Sequence, residues 1–303
     1  MNPQFIVDGL IAGSMIGLGA IGVTLTYSIL RFANFAHGEF IAAGAYGALA
    51  LSGLFGLLVG STPIGPFSFG WNVVLAVPLA LVLTGMLALL LDGVLFSVLR
   101  RRGSAVIILV IASFGASMAL RSLIEFTFTS QPAYFTRELQ IAVRLGAGLR
   151  ATPDQLLMLG TTAVLVVAVH FLMTRTQVGR QMRAVSENPA LAQLSGIDVG
   201  RIVRIAWLLG GGLAAAAGVM AGLLVQIRPY MGFDLLLPLF AAAILGGIGS
   251  VPGAVLGGLV VGLCEAIAVQ TVGAEWRAGI AFLILTLVLL LRPQGMLGRR
   301  GRA

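Results

Sequence analysis

The chain has 303 residues, of which 58% are hydrophobic and only 10% are charged. A soluble domain carries about 25% charged residues, so this composition excludes a soluble globular protein and indicates a multi-pass membrane protein. The net charge is +8 and all 19 basic residues are arginine, so the lysine that a Walker A phosphate loop requires is missing. One cysteine, Cys264, excludes an intrachain disulfide and a cysteine-based metal cage.

A bilayer-spanning helix needs about 20 mostly apolar residues. We therefore predict an all-α, polytopic bundle that forms a single transmembrane domain over residues 1–303, with about eight spans and a range of about seven to nine. The predicted spans are 5–30, 37–60, 72–99, 104–126, 155–173, 203–226, 235–251, 253–271 and 278–292. The pair at 235–251 and 253–271 is short, glycine-rich and separated by Pro252, so it fits either two thin spans or a re-entrant hairpin.

Residues 31–40, RFANFAHGEF, place polar side chains between two apolar stretches. On a helix Asn34 and His37 share a face, while Glu39 lies well round from them. Gly38 weakens a helix locally, so we predict a break there. Polar groups at such a break line a cavity or contact neighbouring helices.

Three roles are open for this stretch. The simplest is structural, with Glu39 paired to Arg31 at the inner interface. A gate in a transport path comes next. A proton relay through His37 and Glu39 ranks third, because a transporter driven by ATP needs no coupling proton.

The arginines predict the orientation, because short cytoplasmic loops are rich in them. They cluster at Arg100, Arg101 and Arg102; at Arg175, Arg180, Arg183, Arg201 and Arg204; and at Arg292, Arg299, Arg300 and Arg302. Placing all three clusters in the cytoplasm puts the N-terminus outside and residues 31–40 near the inner face. The loop 127–154 also carries arginines, yet the same count makes it external.

Residues 174–202 are too organised for a plain connection. Asn188 can cap a short helix, Pro189 suits its first position, and Gly196 suits the position after its end. Apolar residues recur at helical spacing, namely Met182, Val185, Ala190, Leu191, Leu194 and Ile197. The pattern fits a ridge that docks in a groove of another protein, and equally an amphipathic helix that lies on lipid headgroups.

Two acids lie in apolar segments, and the sequence predicts a different role for each. Asp92 lies within reach of Arg100 and is expected to pair with it. Glu265 is the most deeply placed carboxylate, and an intramembrane carboxylate is a candidate functional group.

The glycine-rich stretch 245–253 is a second interrupted element, which with residues 31–40 points to a transport site between two halves of the chain.

Three stretches together resemble a known family. RAVSENPALAQLSGIDV (183–199) is similar to the cytoplasmic coupling segment of ABC importer permeases, with Glu187, Ala190, Ala192, Gly196 and Ile197 at the matching positions. GLGAIGVTLTYSILRFANFAHGEFIAAGAY (17–46) and LGGIGSVPGAVLGGLVVG (245–262) look like those of one permease group. That group is the H-type inner-membrane permease of high-affinity branched-chain amino acid uptake.

The resemblance implies an ATP-driven importer in a bacterial inner membrane, embedded in lipid and without a nucleic-acid partner. Its parts are this permease, a second homologous permease, two ATPase subunits that bind the ATP, and an extracytoplasmic substrate-binding protein. Residues 174–202 are then the coupling segment. Its expected ATPase-contacting residues are Arg183, Glu187, Asn188, Pro189, Ala190, Leu191, Leu194, Gly196 and Ile197.

The expected path or gate residues come from the two interrupted elements and the deep acid. They are Asn34, His37, Gly38, Glu39, Gly246, Gly247, Gly249, Ser250, Gly253 and Glu265. Neither a cofactor nor a metal is expected, and the chain carries no HExxH, GxSxG or paired-cysteine motif that would indicate an enzyme. Two alternatives stay open: a permease of the same family for urea or short amides, and a stand-alone secondary transporter that uses His37, Glu39 and Glu265.

Overall fold

The computed structural model describes residues 3–136, 140–146, 148–292 and 294–298. Its helices are α1 (Gln4–Leu30), α2 (His37–Val59), α3 (Trp71–Leu91), α4 (Ser97–Arg101), α5 (Val106–Phe128), α6 (Pro153–Arg175), α7 (Gln177–Glu187), α8 (Pro189–Leu194), α9 (Val199–Leu224), α10 (Met231–Gly246), α11 (Val251–Thr271) and α12 (Arg277–Leu291). A π-helical turn, Asp92–Phe96, joins α3 to α4, and a 3-10 turn, Ala274–Trp276, precedes α12. A short hairpin of β1 (Val143–Gly146) and β2 (Leu149–Ala151) lies between α5 and α6.

Eight helical segments in the described ranges are long and apolar enough to cross a bilayer, counting Trp71–Arg101 as one. The predicted all-α, multi-pass class is therefore confirmed. The ambiguous pair of predicted spans consists of one short helix, α10 with 16 residues, and one of spanning length, α11 with 21 residues. Ser250 caps α11 by accepting a hydrogen bond from Gly253 N at 3.1 Å.

The described members of all three arginine clusters lie at one end of the bundle, called here the inner end. Helix α3 runs antiparallel to α9, with Gly85 packed on Leu208, so α4 ends beside the start of α9. The segment after α12 returns to the end of α10, where Met296 N donates to Leu245 O at 2.7 Å. Arg137, Arg299, Arg300 and Arg302 fall outside the described residues. The opposite, outer end carries the hairpin, where Gln4 Nε2 donates to Arg150 O at 2.8 Å.

Helix α1 is the central helix and packs against α9, α10 and α11. Its contact with α11 is a row of glycines, the glycine seam: Gly9, Gly13 and Gly17 face Gly258 and Gly262. A Cβ on Gly13 would lie 2.8 Å from Leu259 Cα, so any side chain there would separate the helices. Rows of small residues allow this approach in lipid, and here they pack the bundle itself.

Two helices begin near the middle of the bundle. The first turn of α2 contacts Gly22 of α1, which lies about 12 Å from the inner end of that helix. Helix α10 begins at the same depth, because Gly232 and Gly38 meet through their backbones. From this point α2 runs towards the outer end and α10 towards the inner end. Broken helices that meet inside a bundle are typical of transporter sites.

Candidate translocation path and coupling segment

The chain leaves helical structure at residues 31–36, called here the break. Arg31 adopts a left-handed conformation (φ 55°) and its N–H bonds to Tyr27 O at 2.8 Å, which ends α1. Asn34 Oδ1 then accepts a hydrogen bond from Ala36 N at 3.1 Å and turns the chain into α2. The prediction that Gly38 breaks the helix is wrong, because Gly38 lies in the first turn of α2.

Gly38 is instead needed for helix contact. A Cβ on it would lie 2.5 Å from Gly232 O and 2.8 Å from Leu236 Cγ. His37 is buried beside it, and a Cβ on Gly22 would lie 2.8 Å from its ring. Because Asn34 precedes the helix that contains His37, the expected shared face does not form. The start of α2 is therefore wedged between α1, α9 and α10.

Glu39 pairs with a residue that the sequence interpretation missed. Its Oε1 accepts from Arg121 Nη2 at 2.5 Å, Arg121 Nε at 3.2 Å and Ser117 Oγ at 3.0 Å. The guanidinium also lies over two rings at the start of α10, 4.9 Å from the centroid of Tyr230 and 4.7 Å from that of Phe233. We call the contact of α2, α5 and α10 at these residues the Glu39 junction.

The expected Arg31–Glu39 pair is therefore wrong. The break moves Glu39 deep into the bundle beside α5, while Arg31 stays at the inner end. A polar stripe could have indicated the true partner, since Ser113, Ser117 and Arg121 recur every four residues along an otherwise apolar span. An arginine in such a span needs an acid nearby.

An outer cavity of about 800 Å³ lies beside the Glu39 junction. It is enclosed by α1, the start of α10, α11 and the turn before α12. Its wall is mostly apolar and includes Met15, Phe35 and Leu236. Glu265 reaches the cavity from α11 and is 4% exposed. The predicted path residue Glu265 thus lines a cavity.

An inner cavity of about 600 Å³ lies at the other end. Arg31 lines it, together with Gly249 and Ser250 of the turn between α10 and α11. Gly249 N donates to Thr24 Oγ1 at 2.7 Å, which attaches this turn to α1. The turn therefore lies beside Arg31 at the inner end, whereas the interruption that meets the start of α2 is the loop 225–230 before α10.

The other glycines of the 245–253 stretch serve close packing. Gly246 and Gly253 touch through their backbones across the turn, and Gly247 (φ +96°) packs on the segment that follows α12. A positive φ at Gly247 is a conformation that glycine adopts without strain. This explains the richness in glycine without giving these three residues a chemical role.

The segment 174–202 forms two helices at the inner end, α7 and α8. Asn188 Oδ1 accepts from Leu191 N at 3.0 Å, Pro189 is the first residue of α8, and Gly196 (φ +82°) follows its end. These three expectations are confirmed. The segment is an ordered part of the bundle, because Arg183 donates to Met173 O.

The expected continuous apolar ridge does not exist, because its members face in two directions. Met182 and Val185 of α7 are each 1% exposed and pack into the core. Leu191 and Leu194 of α8 are 61% and 86% exposed. The kink at Asn188 causes the division, since α8 follows a different axis from α7. Ala190 is also exposed, whereas Ile197 is half-buried.

Arg31 joins the coupling segment to the break. Its Nη2 donates to Ser186 O and Glu187 O, both at 3.0 Å. These are carbonyls of the last turn of α7, where the helix dipole favours a cation. The residue that ends α1 thus binds the C-terminus of α7 directly.

The separately expected pair of Arg100 and Asp92 is confirmed, with Nη1 and Oδ1 2.8 Å apart.

Comparison with known proteins identifies the family. The model of the branched-chain amino acid transport system / permease component family matches residues 5–290. The chain belongs to this family. The high-affinity branched-chain amino acid transport system permease protein LivH of Escherichia coli K12 is 31% identical, with 99% of this chain and 98% of that protein aligned. BraD of Pseudomonas aeruginosa, described in the same terms, is 32% identical over 98% of this chain and 95% of its own length.

The similarity extends to an archaeal protein, the probable branched-chain amino acid transport permease protein LivH of Methanocaldococcus jannaschii, at 29% identity over 98% of this chain and 93% of that one. These relatives are permease components of transport systems. The chain is accordingly a multi-pass inner-membrane protein and one membrane-embedded component of a transporter complex.

Proposed function

We propose that this chain is a permease subunit of an ABC importer that takes up branched-chain amino acids. A second homologous permease completes the path, two ATPase subunits hydrolyse ATP, and an extracytoplasmic binding protein delivers the substrate. The observation that carries this proposal is the exposed apolar surface of α8, in a chain that matches the permease family over residues 5–290. Helix α8 exposes Leu191 and Leu194 at the arginine-rich inner end, where an ATPase subunit would dock.

The geometry supports a route from α8 to the path. ATPase closure would move α8 and α7, and α7 is bound to Arg31. Arg31 lies at the start of the break, and Glu39 of the junction follows it by eight residues. The break also contributes to both cavities, Phe35 to the outer one and Arg31 to the inner one. It is therefore placed to act as the gate between them.

A docking test uses α8 directly. Leu191→Asp with Leu194→Asp places two charges where apolar contact is expected, so ATPase subunits should no longer co-purify and uptake should fall to background. Gln193→Asp is the matched control, because it adds a carboxylate to α8 without removing an exposed leucine. Normal co-purification and uptake by the double variant would refute the docking role.

An energy test separates this proposal from a stand-alone secondary transporter. Right-side-out vesicles that contain ATP, with the binding protein added outside, should keep importing leucine when a protonophore collapses the proton gradient. Removal of ATP should stop uptake. The opposite pattern would favour proton coupling through His37 and Glu39.

A further inference from the structure

The outer cavity contains one deeply buried carboxylate whose charge is poorly matched by the protein. Glu265 is 4% exposed, and its Oε2 lies 3.7 Å from Arg277 Nε. The Arg277 side chain is 61% exposed, so the protein does not hold this cation firmly against the carboxylate. The second oxygen, Oε1, has no hydrogen-bond partner among the described residues. A buried ion with an open acceptor position is a place where a cationic ligand can bind.

The rest of the cavity has the same preference for cations. Its other charged lining residues are Asp8, Asp234, Glu275, Arg228 and Arg277. Together with Glu265 this gives four carboxylates against two guanidinium groups. The resulting negative potential attracts an ammonium group and opposes a ligand whose only charge is a carboxylate.

The apolar part of the cavity wall suits an apolar side chain. Phe35, Leu236 and Phe240 line the cavity from the break and from α10. Phe35 and Phe240 are in ring contact, with centroids 5.9 Å apart. A small-molecule site typically combines such an apolar wall with a few polar groups that fix orientation. A volume of about 800 Å³ is ample for one amino acid.

We propose that Glu265 receives the ammonium group of an amino acid in transit through the outer cavity, while the apolar wall accepts its side chain. This inference rests on the proposed function and adds a selectivity to it. A neutral amide or urea cannot make the ion pair, so the permease itself, and not only its binding protein, discriminates against them. Glu265 is thus a specificity residue of the path.

Carbodiimide labelling tests the site on the purified transporter complex. The loss of the unmodified Glu265 peptide is measured by mass spectrometry, so that the carbodiimide adduct and any amide formed with an amine both count as labelling. Glu265→Gln assigns the peptide, and leucine uptake by the same preparation is measured in parallel. Leucine and 3-methylbutylamine, which carry an ammonium group, should reduce labelling about tenfold at saturation. Urea and 4-methylpentanoate, which lack it, should leave labelling unchanged. Equal protection by 4-methylpentanoate, or none by leucine in a complex that imports leucine, would overturn the inference.

Uptake by two variants separates charge from shape. Glu265→Gln should lower the maximal leucine uptake rate about tenfold or more, the size expected for losing a hydrogen bond to a charged group. Glu265→Asp keeps the charge and should stay within about threefold of the parent. Equal losses in both variants would indicate packing and contradict the proposal. A parent complex that imports no amino acid while 3-methylbutylamine still protects Glu265 would instead contradict the proposed function alone.

Discussion

The Glu39 junction and the outer cavity both contain a buried carboxylate, and they treat it differently. Glu39 binds Arg121 and Ser117 closely, and two aromatic rings cover the arginine. Glu265 has a single long contact, to an exposed arginine. Each carboxylate leaves one oxygen without a hydrogen-bond partner among the described residues, so the difference lies in how closely the other oxygen is paired. A tightly paired charge holds helices together, whereas a loosely paired one beside a cavity is available to a ligand. Depth in the membrane therefore does not by itself predict a functional carboxylate.

The largest effect should come from removing the charge that balances Glu39. Arg121→Leu leaves a buried, unpaired carboxylate and should destabilise the protein by about 3–5 kcal/mol. Glu39→Gln in the same background removes that charge and should recover part of the loss. Thermal unfolding of the protein in detergent measures both.

The same unfolding measurement on Glu265→Gln gives the contrast. The ion pair of Glu265 is long and its partner Arg277 is exposed, so the loss of unfolding free energy should stay below about 1 kcal/mol. A loss as large as that of Arg121→Leu would remove the distinction between the two carboxylates.

An intermediate effect is expected where the junction meets α10. Gly38→Ala pushes a Cβ into Gly232 O and Leu236, and overpacking of this kind costs about 1–3 kcal/mol. Gly47→Ala is the matched control on the same helix, because its Cβ would meet nothing within 4 Å. We expect Gly47→Ala to be neutral or slightly stabilising in unfolding and neutral in uptake. If the two variants behaved alike, the backbone contact would not be essential.

The smallest effect should arise at the inner end, where Arg31 at the start of the break binds the last turn of α7. Arg31→Gln loses the charge that binds the last turn of α7, so leucine uptake per ATP hydrolysed should fall about threefold. ATPase activity and co-purification should persist, because α8 is untouched. Arg31→Lys should be intermediate, and Arg102→Gln, an exposed arginine at the same end, should have no effect. An unchanged uptake-to-hydrolysis ratio in Arg31→Gln would refute the link.

Much of the fold was predictable because lipid imposes a simple rule on the sequence. Apolar length located the spans to within a few residues, apart from α10, and arginine clustering grouped their ends. The caps of α8 were equally predictable, since Asn188, Pro189 and Gly196 act on their immediate neighbours. The Asp92–Arg100 pair also depends only on local spacing along nearly continuous helix.

Long-range partners were not predictable in this way. Glu39 is close in sequence to Arg31 but binds Arg121, because the break carries it into a different layer of the bundle. The direction of α8 depended on a kink that local periodicity does not encode, so one apolar ridge was expected where two separate faces exist. Gly38 was interpreted by its weak helix propensity, although its role is to let two backbones meet.

The glycine seam has a mechanical consequence. Because α1 and α11 touch through their backbones at several turns, neither can slide or roll without the other, and the two behave as one rod. Arg31 lies at the inner end of this helix pair and binds α7. Glu265 lies on α11, near the other end of the pair. A movement of α7 at the inner end would therefore be transmitted through α1 and α11 to Glu265 at the outer cavity. Ligand binding in that cavity and the position of α7 would then be linked through two helices that move as one body.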